Sequence, residues 1–265
     1  MDLSVEKYLQ RINYDGGTSP TKENLMRIQK AHLLSVPYEN LDIYYGRPFT
    51  LAVEEIYDKI VNRHRGGYCF EINGLLAWLL RQLGYDVEEY FGRWLYMDPL
   101  ELPARRHRVI RVKFPDGDFI ADAAVGQRAP LTSLAFEYGL VQPREGFNYR
   151  IVQDAALYNV VQREEDGKYV NFYSFDLAPQ LNIDFTYAHY YCTHHPDSIF
   201  TRGIIVHIPT EKGRNSLRCA LDPQTAALKP LLSIGLEDGS SEKRFLYSDA
   251  ELKEALRQYF GIDLG

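Results

Sequence analysis

The chain has 265 residues, 45% hydrophobic and 25% charged, which is enough apolar surface to offset the ordering entropy of one or two packed units and too much for wholesale disorder. A formal net charge of -6 argues against nucleic acid or an anionic membrane as the main partner, so any phosphate site has to be local. No apolar run reaches the roughly 18 residues of a membrane helix. The opening Met1-Asp2-Leu3-Ser4-Val5-Glu6-Lys7 lacks the basic start and apolar block of a signal peptide, so a cytoplasmic setting is expected. Three cysteines, Cys69, Cys192 and Cys219, without a CxxC pair argue against a disulfide framework or a structural zinc finger.

The first third of the chain reads as helical. Ser19-Pro20 is an N-cap followed by a first-turn proline, and Leu25, Ile28, Ala31 and Leu34 recur at three-residue spacing until Pro37 ends the pattern. Thr50 is placed to cap a second helix through Ile56 and Ile60. A third follows Gly66 and Gly67, with Ile72, Leu75, Leu76, Leu79, Leu80 and Leu83 apolar and Gly84 as its stop. From about Val87 the texture changes to short runs of Val, Ile, Tyr and Phe, broken by turn signals at Pro115-Asp116-Gly117, Asp166-Gly167 and Gly213-Arg214-Asn215, which predicts antiparallel sheet or barrel. Ser248-Asp249-Ala250-Glu251 opens a last helix through Leu252, Leu256 and Phe260, closed by Gly261. Helices first, strands afterwards and a late helix make an α+β order.

The segment richest in chemistry is Arg65-Gly66-Gly67-Tyr68-Cys69-Phe70-Glu71-Ile72-Asn73-Gly74. Two glycines permit a tight turn and close approach to a ligand. Cys69 then stands in the first turn of an apolar helix, where unpaired N–H groups favour a thiolate and a lowered thiol pKa is expected. The plain alternative is a small buried core cysteine, and the glycine turn with the helix start outweighs it.

A cysteine nucleophile needs a base and a group to orient that base. His107 opens the strand-like run His107-Arg108-Val109-Ile110-Arg111-Val112-Lys113-Phe114, and the chain returns after its turn as Phe119-Ile120-Ala121-Asp122. With a two-residue hairpin at Asp116-Gly117, Asp122 would face Arg111, on the same face as His107 but about 13 Å away along the strands. Direct contact therefore requires a bulge or a shifted register, with Gly117 as the candidate position.

Together with Pro37-Tyr38-Glu39-Asn40-Leu41, the Ala121-Asp122-Ala123-Ala124-Val125-Gly126 segment and His195-Pro196-Asp197-Ser198-Ile199-Phe200-Thr201, these motifs resemble the arylamine N-acetyltransferase family over most of the chain. The resemblance implies a papain-like thiol scaffold, with a helical bundle over 1–86 carrying the nucleophile, an antiparallel β-barrel over 87–195 and an α/β lid over 196–265. It makes Cys69 the acetylated nucleophile, His107 its base and Asp122 the orienting carboxylate. Acetyl-CoA is then a co-substrate, with no permanently bound cofactor, and the acceptors are aromatic amines, hydrazines or N-hydroxyarylamines.

By the same resemblance Tyr38, Val125 and Phe200 fall on the acceptor pocket, Val125 where the family usually has an aromatic residue and Tyr38 where it more often has Phe. Arg65 and Glu39 resemble a pair that braces the active-site turn, and Asn73 of the same motif is expected to support it. Arg105, Arg106 and Arg108 flank His107 as a candidate basic rim for the CoA phosphates, against the alternative of a solvated strand edge. His189, Cys192, His194 and His195 invite a metal site. On a helix, however, 189 and 192 share one face while 194 and 195 point elsewhere, so core packing is expected and no metal is assigned. Two rival readings remain: a thiol hydrolase or transglutaminase-like enzyme with the same three residues, and a silent binding module on the same scaffold.

Overall fold

The computed structural model describes residues 3–96, 102–124, 130–211 and 213–265. It opens with helices α1 (Val5–Arg11), α2 (Lys22–Ser35), α3 (Leu41–Tyr44), α4 (Val53–Tyr57) and α5 (Cys69–Gln82). A short strand, β1 (Tyr38–Glu39), lies between α2 and α3, and a π-helical turn (Asp58–Asn62) continues α4. The start of α2 is set by Thr21, whose hydroxyl accepts the Asn24 N–H at 3.2 Å, rather than by Ser19. Val36, forced out of the helical region by Pro37, ends it at φ -110° and ψ 112°. Thr50 caps no helix. Its hydroxyl accepts from the Ala52 N–H and its own N–H donates to Glu55, which closes the turn ahead of α4. The third helix follows its apolar pattern: α5 begins at Cys69, is buried along most of its length and stops before Gly84, whose φ of +85° suits glycine.

Strands β2 (Asp86–Trp94), β3 (His107–Lys113), β4 (Phe119–Ala121), β5 (Leu134–Ala135), β6 (Gln142–Arg144), β7 (Phe147–Asp154), β8 (Tyr158–Glu165) and β9 (Lys168–Phe175) form an antiparallel sheet in the order β5-β4-β3-β2-β9-β8-β7-β6. The two end strands meet through one side chain. The Gln142 amide accepts the Ala135 N–H at 2.7 Å and donates to the Ala135 carbonyl at 3.0 Å, so the sheet curls into a nearly closed barrel. Alternation along β3 and β4 serves two cores at once. Val109 and Ile120 turn into the barrel with Tyr149, Phe172 and Tyr173, whereas Ile110, Val112 and Ala121 pack into the helical core.

A 3₁₀ turn (Asn182–Phe185) and α6 (Thr186–His194) return the chain to the helices, burying Phe185 and Cys192 in the helical core, which the following Phe200 also joins. Strands β10 (Ile205–Thr210), β11 (Gly213–Asp222), β12 (Ala227–Gly235) and β13 (Ser241–Phe245) then form a second antiparallel sheet with β1, in the order β1-β10-β11-β12-β13. The last helix, α7 (Asp249–Phe260), packs on this sheet. It opens with the Ser248 hydroxyl accepting the Glu251 N–H while Glu251 accepts from Tyr247, and it closes on Gly261 at φ +66°.

The short strand β1 is the joint. On one side it pairs with β10, and on the other Tyr38 bridges Gly67, so the second sheet ends against the turn that precedes Cys69. Asn40 fastens this joint by donating to the Phe200 and Gly203 carbonyls, both at 2.8 Å, and accepting the Ile205 N–H at 2.7 Å. Among the described residues no helix is long and apolar enough to cross a membrane.

Candidate active site

The turn before Cys69 is shaped by close backbone approach. A Cβ on Gly66 would lie 1.9 Å from the Pro37 carbonyl oxygen, and the Gly67 carbonyl accepts the Glu39 N–H at 2.8 Å, so only glycine permits β1 to lie so tightly against the turn. Cys69 follows as the first residue of α5 and is buried. Beneath the turn lies a buried ion cluster. Arg65 donates to Glu39 at 2.9 Å and to Asp42 at 3.1 Å, and Lys59 meets Asp42 at 2.7 Å and Glu71 at 2.8 Å. The expected Arg65–Glu39 pair is there, joined by Glu71 of the same glycine motif and by Lys59 and Asp42, which no sequence pattern marks.

His107, the first residue of β3, reaches Asp122, with Nε2 and Oδ2 2.5 Å apart. Because the carboxylate only accepts, Nε2 carries the proton in this contact. The contact depends on a register that a hairpin centred on Asp116-Gly117 could not supply. Ile110 pairs with Ala121 and Val112 with Phe119, a shift of two residues that moves Asp122 from the level of Arg111 to that of Val109. It becomes a diagonal neighbour of His107, within side-chain reach. The turn is centred one residue earlier, on Pro115-Asp116, with the Gly117 N–H donating to the Phe114 carbonyl at 3.3 Å, and Asp118 braces it by accepting the Phe114 N–H and pairing with Arg111.

Asp122 itself is fixed by two helices. Its Oδ1 accepts from Asn73 Nδ2 on α5 at 2.8 Å and from the Ala124 N–H at 2.9 Å. Asn73 also accepts the Ala123 N–H at 2.9 Å, and Gln29 on α2 contacts both the N–H and the carbonyl of Asp122 at 3.3 Å. Gln29 carried no sequence signal, since a glutamine in a helix is ordinarily solvated.

The buried Cys69 thiol stands beside the imidazole, close enough for each to bear on the other's charge, with its sulfur 3.3 Å from the Arg106 carbonyl oxygen. Burial works against a charge on His107, but the Asp122 carboxylate and the Cys69 contact outweigh it and raise the pKa to about 10. Burial also pushes the Cys69 thiol up, against the hydrogen bond and charge of His107, and burial prevails. The lowering expected from the helix start alone is therefore overturned, because the same turn that places Cys69 at the helix terminus removes it from water.

Tyr38 lies half-buried with its ring stacked on His207 at 4.7 Å, and Phe200 meets the Tyr68 ring edge-on at 5.3 Å. Val125 lies outside the described residues. The three arginines part company. Arg105 is half-exposed and pairs with Asp176 at 2.6 Å. Arg106 is buried beside the thiol. Arg108 is buried too, donating to Glu89 at 2.5 Å, Asn182 at 3.0 Å and the Phe70 carbonyl at 3.2 Å, so it ties α5 to β2 and the 3₁₀ turn rather than forming a rim. On α6, His189 accepts from the Tyr68 hydroxyl at 2.6 Å and its Nε2 faces the Phe49 carbonyl at 3.2 Å. Cys192 is buried, with its pKa pushed up to about 12 by burial.

A buried thiol, an imidazole and a carboxylate in contact at a helix start can form and discharge an acyl-thioester. Known proteins carry the same frame. The N-acetyltransferase family model matches residues 21–265. An arylamine N-acetyltransferase of Mycolicibacterium smegmatis is 33% identical, over 100% of this chain and 94% of that protein. An arylamine N-acetyltransferase / N-hydroxyarylamine O-acetyltransferase of Salmonella typhimurium is 30% identical over 79% of this chain and 75% of its own. The solved structure of the Mycobacterium marinum arylamine N-acetyltransferase in complex with CoA superposes with a TM-score of 0.83 at 31% identity, covering 98% of this chain and 93% of that one. Sequence and fold agree from end to end, and the chain belongs to the arylamine N-acetyltransferase family.

Proposed function

We propose that this acetyl-CoA-dependent arylamine N-acetyltransferase works through Cys69, His107 and Asp122. The observation that carries the reading is the buried run of contacts from thiol to imidazole to carboxylate. The sulfur of Cys69 attacks the acetyl-CoA carbonyl, the C–S bond to CoA breaks, and CoA leaves as a thiol after taking the proton held on His107. Both sides of this step are thioesters, so it proceeds with little change in bond energy. The arylamine nitrogen then attacks the acetyl-cysteine, His107 accepts the proton that the amine loses, and Cys69 is restored. The N–H groups of Cys69 and Phe70 at the start of α5 come before its first backbone bonds, which begin at Glu71, and are assigned to the developing oxyanion.

Asp122 favours the imidazolium, so the proton shared by Cys69 and His107 rests on the ring when sulfur attacks. Burial works against the sulfur's charge, and the thiolate therefore lasts only while His107 holds that proton. Tyr38 and Phe200 are assigned to the acceptor pocket, where aromatic neighbours suit an aryl ring. Arg105, the half-exposed arginine two residues from His107, is assigned to the CoA phosphates in exchange for Asp176. Hydrazines, attacking through nitrogen, and N-hydroxyarylamines, attacking through the hydroxyl oxygen with His107 taking the proton, are proposed as further acceptors.

The test is a two-substrate rate study with acetyl-CoA and aniline. Parallel double-reciprocal lines and stoichiometric acetanilide are expected. CoA release at the same rate without the amine would favour a thiol hydrolase and overturn the reading.

A further inference from the structure

The π-helical turn does something an α-helical continuation of α4 would not. Its extra residue per turn directs Lys59, Ile60 and Val61 inward together, and all three are buried. The Lys59 ammonium ends among three carboxylates, with Asp42 at 2.7 Å, Glu71 at 2.8 Å and Glu39 at 3.8 Å, over the Phe49 ring at 5.0 Å. Its carbonyl oxygen accepts the Arg65 N–H at 3.0 Å, where the active-site turn begins.

Glu71 is the link to the nucleophile. One carboxylate oxygen faces Lys59 and the other accepts the Tyr68 N–H at 3.0 Å, one residue before Cys69. The fit leaves no slack, because a Cβ on Gly67 would lie 3.0 Å from that second oxygen. We propose that Lys59 is a positioning residue for the nucleophile: by holding the Glu71 carboxylate on the Tyr68 N–H it sets the first turn of α5, and with it the direction of the Cys69 sulfur toward His107.

A role in positioning differs from simple filling of the core because Glu71 titrates. Burial raises its pKa, opposed first by the Lys59 charge. The groups around it are Lys59 from the π turn, Glu39 from β1, Asp42 from α3, Arg65 from the turn, and the phenols of Tyr38 and Tyr68. Without the ammonium, Glu71 takes up a proton at higher pH and its grip on the Tyr68 N–H weakens.

The inference rests on the acetyl-transfer reading, so two readouts are paired: the rate of Cys69 acetylation by acetyl-CoA and the rate of Cys69 alkylation by iodoacetamide, each followed against pH in the full chain. Lys59→Met should slow both about tenfold at neutral pH, the factor expected if the energy of one helix-cap bond is lost from the placement of Cys69. It should also displace the acid limb upward by about 1 to 3 pH units. Glu71→Gln, whose amide oxygen still accepts from Tyr68, should keep rates within a few-fold while moving the acid limb downward. Lys59→Met with Glu71→Gln should recover most of what Lys59→Met alone loses. If Lys59→Met does not fold, Glu71→Gln decides: an acid limb that stays where it was overturns the proposal. So does a Lys59→Met protein whose pH profile overlays that of the unaltered chain, or a double variant slower than either single one. Alkylation responding as described while acetyl-CoA leaves Cys69 unmodified would refute the acetyl-transfer reading and leave the positioning role supported.

Discussion

Asp122 uses both oxygens: one for His107, the other for Asn73 and the Ala124 N–H. In Asp122→Asn the amide oxygen keeps the two N–H donors, which turns the NH2 toward His107 Nε2 and makes that nitrogen an acceptor. The ring proton then sits on the side of Cys69, where an acceptor is needed. The variant should fold with little change in Tm, acetylate Cys69 about three to four orders of magnitude more slowly, and lose activity on the alkaline side well below pH 10, because the imidazolium has lost its carboxylate. Stopped-flow CoA release across pH reads this, and near-normal rates would remove Asp122 from the mechanism. The cysteines differ by the same logic. Burial raises both Cys69 and Cys192, but only Cys69 has a histidine in contact to stabilise its thiolate. Cys69 should alkylate first at mildly acidic pH, and equal peptide-resolved rates at Cys69, Cys192 and Cys219 would contradict this. Cys69 and His107 were legible as residues from their settings, one after a glycine turn and one opening a strand. Burial of the thiol was not, since it depends on β1 and α6 arriving from elsewhere in the chain.

At the scale of elements, the hairpin between β3 and β4 decides whether the site exists. Its register follows from a turn centred on Pro115-Asp116 rather than Asp116-Gly117, with Asp118 bracing its base on Phe114 and Arg111, a choice of turn position that local sequence leaves open. Asp118→Asn should lower stability by about 1 kcal/mol, the scale of one half-buried charged hydrogen bond, while acetylation stays within about threefold. A large catalytic loss with unchanged Tm would mean that Asp118 acts in the chemistry. Strand β10 yields a second expectation. Burial lowers the pKa of His207 to about 3, so the folded state keeps it neutral. Its contribution is complete above the unfolded value near 6.5 and is lost as pH falls toward 3. His207→Phe, which keeps the stack on Tyr38, should flatten the fall of Tm over that range, and an unchanged slope would contradict the assignment. His107 has the opposite sign: its raised pKa gives stability that is whole below about 6.5 and fades as pH rises toward 10.

Legibility also differed among elements for physical reasons. Helix α5 was readable because its apolar stripe and closing glycine are all local. The start of α2 was misplaced because Ser19 and Thr21 both offer a capping hydroxyl, and Thr21 makes the bond. Lys59 was invisible because a π turn breaks the 3.6-residue period, leaving an inward lysine looking like a solvated one. Arg108 misled in the same way, its buried pairing with Glu89 depending on the neighbouring strand.

In the whole molecule, three cores converge on one place. Cys69 belongs to the helical core, His107 leans on Tyr173 of the barrel core at 5.6 Å, and Tyr38 lies on a strand of the second sheet, whose other face is covered by α7. The order of helices, strands and a late helix was readable from changes in periodicity. That a two-residue strand from the helical part would edge the last sheet was not, since β1 gains its pairing only from β10. The central claim, that this junction carries acetyl on Cys69, is tested most directly by adding acetyl-CoA alone and following the intact mass, with peptide mapping of the product. One acetyl group per chain, on Cys69 and released by an arylamine, is the predicted result. An acetyl group on Cys192 or Cys219, or an unmodified chain, would contradict it.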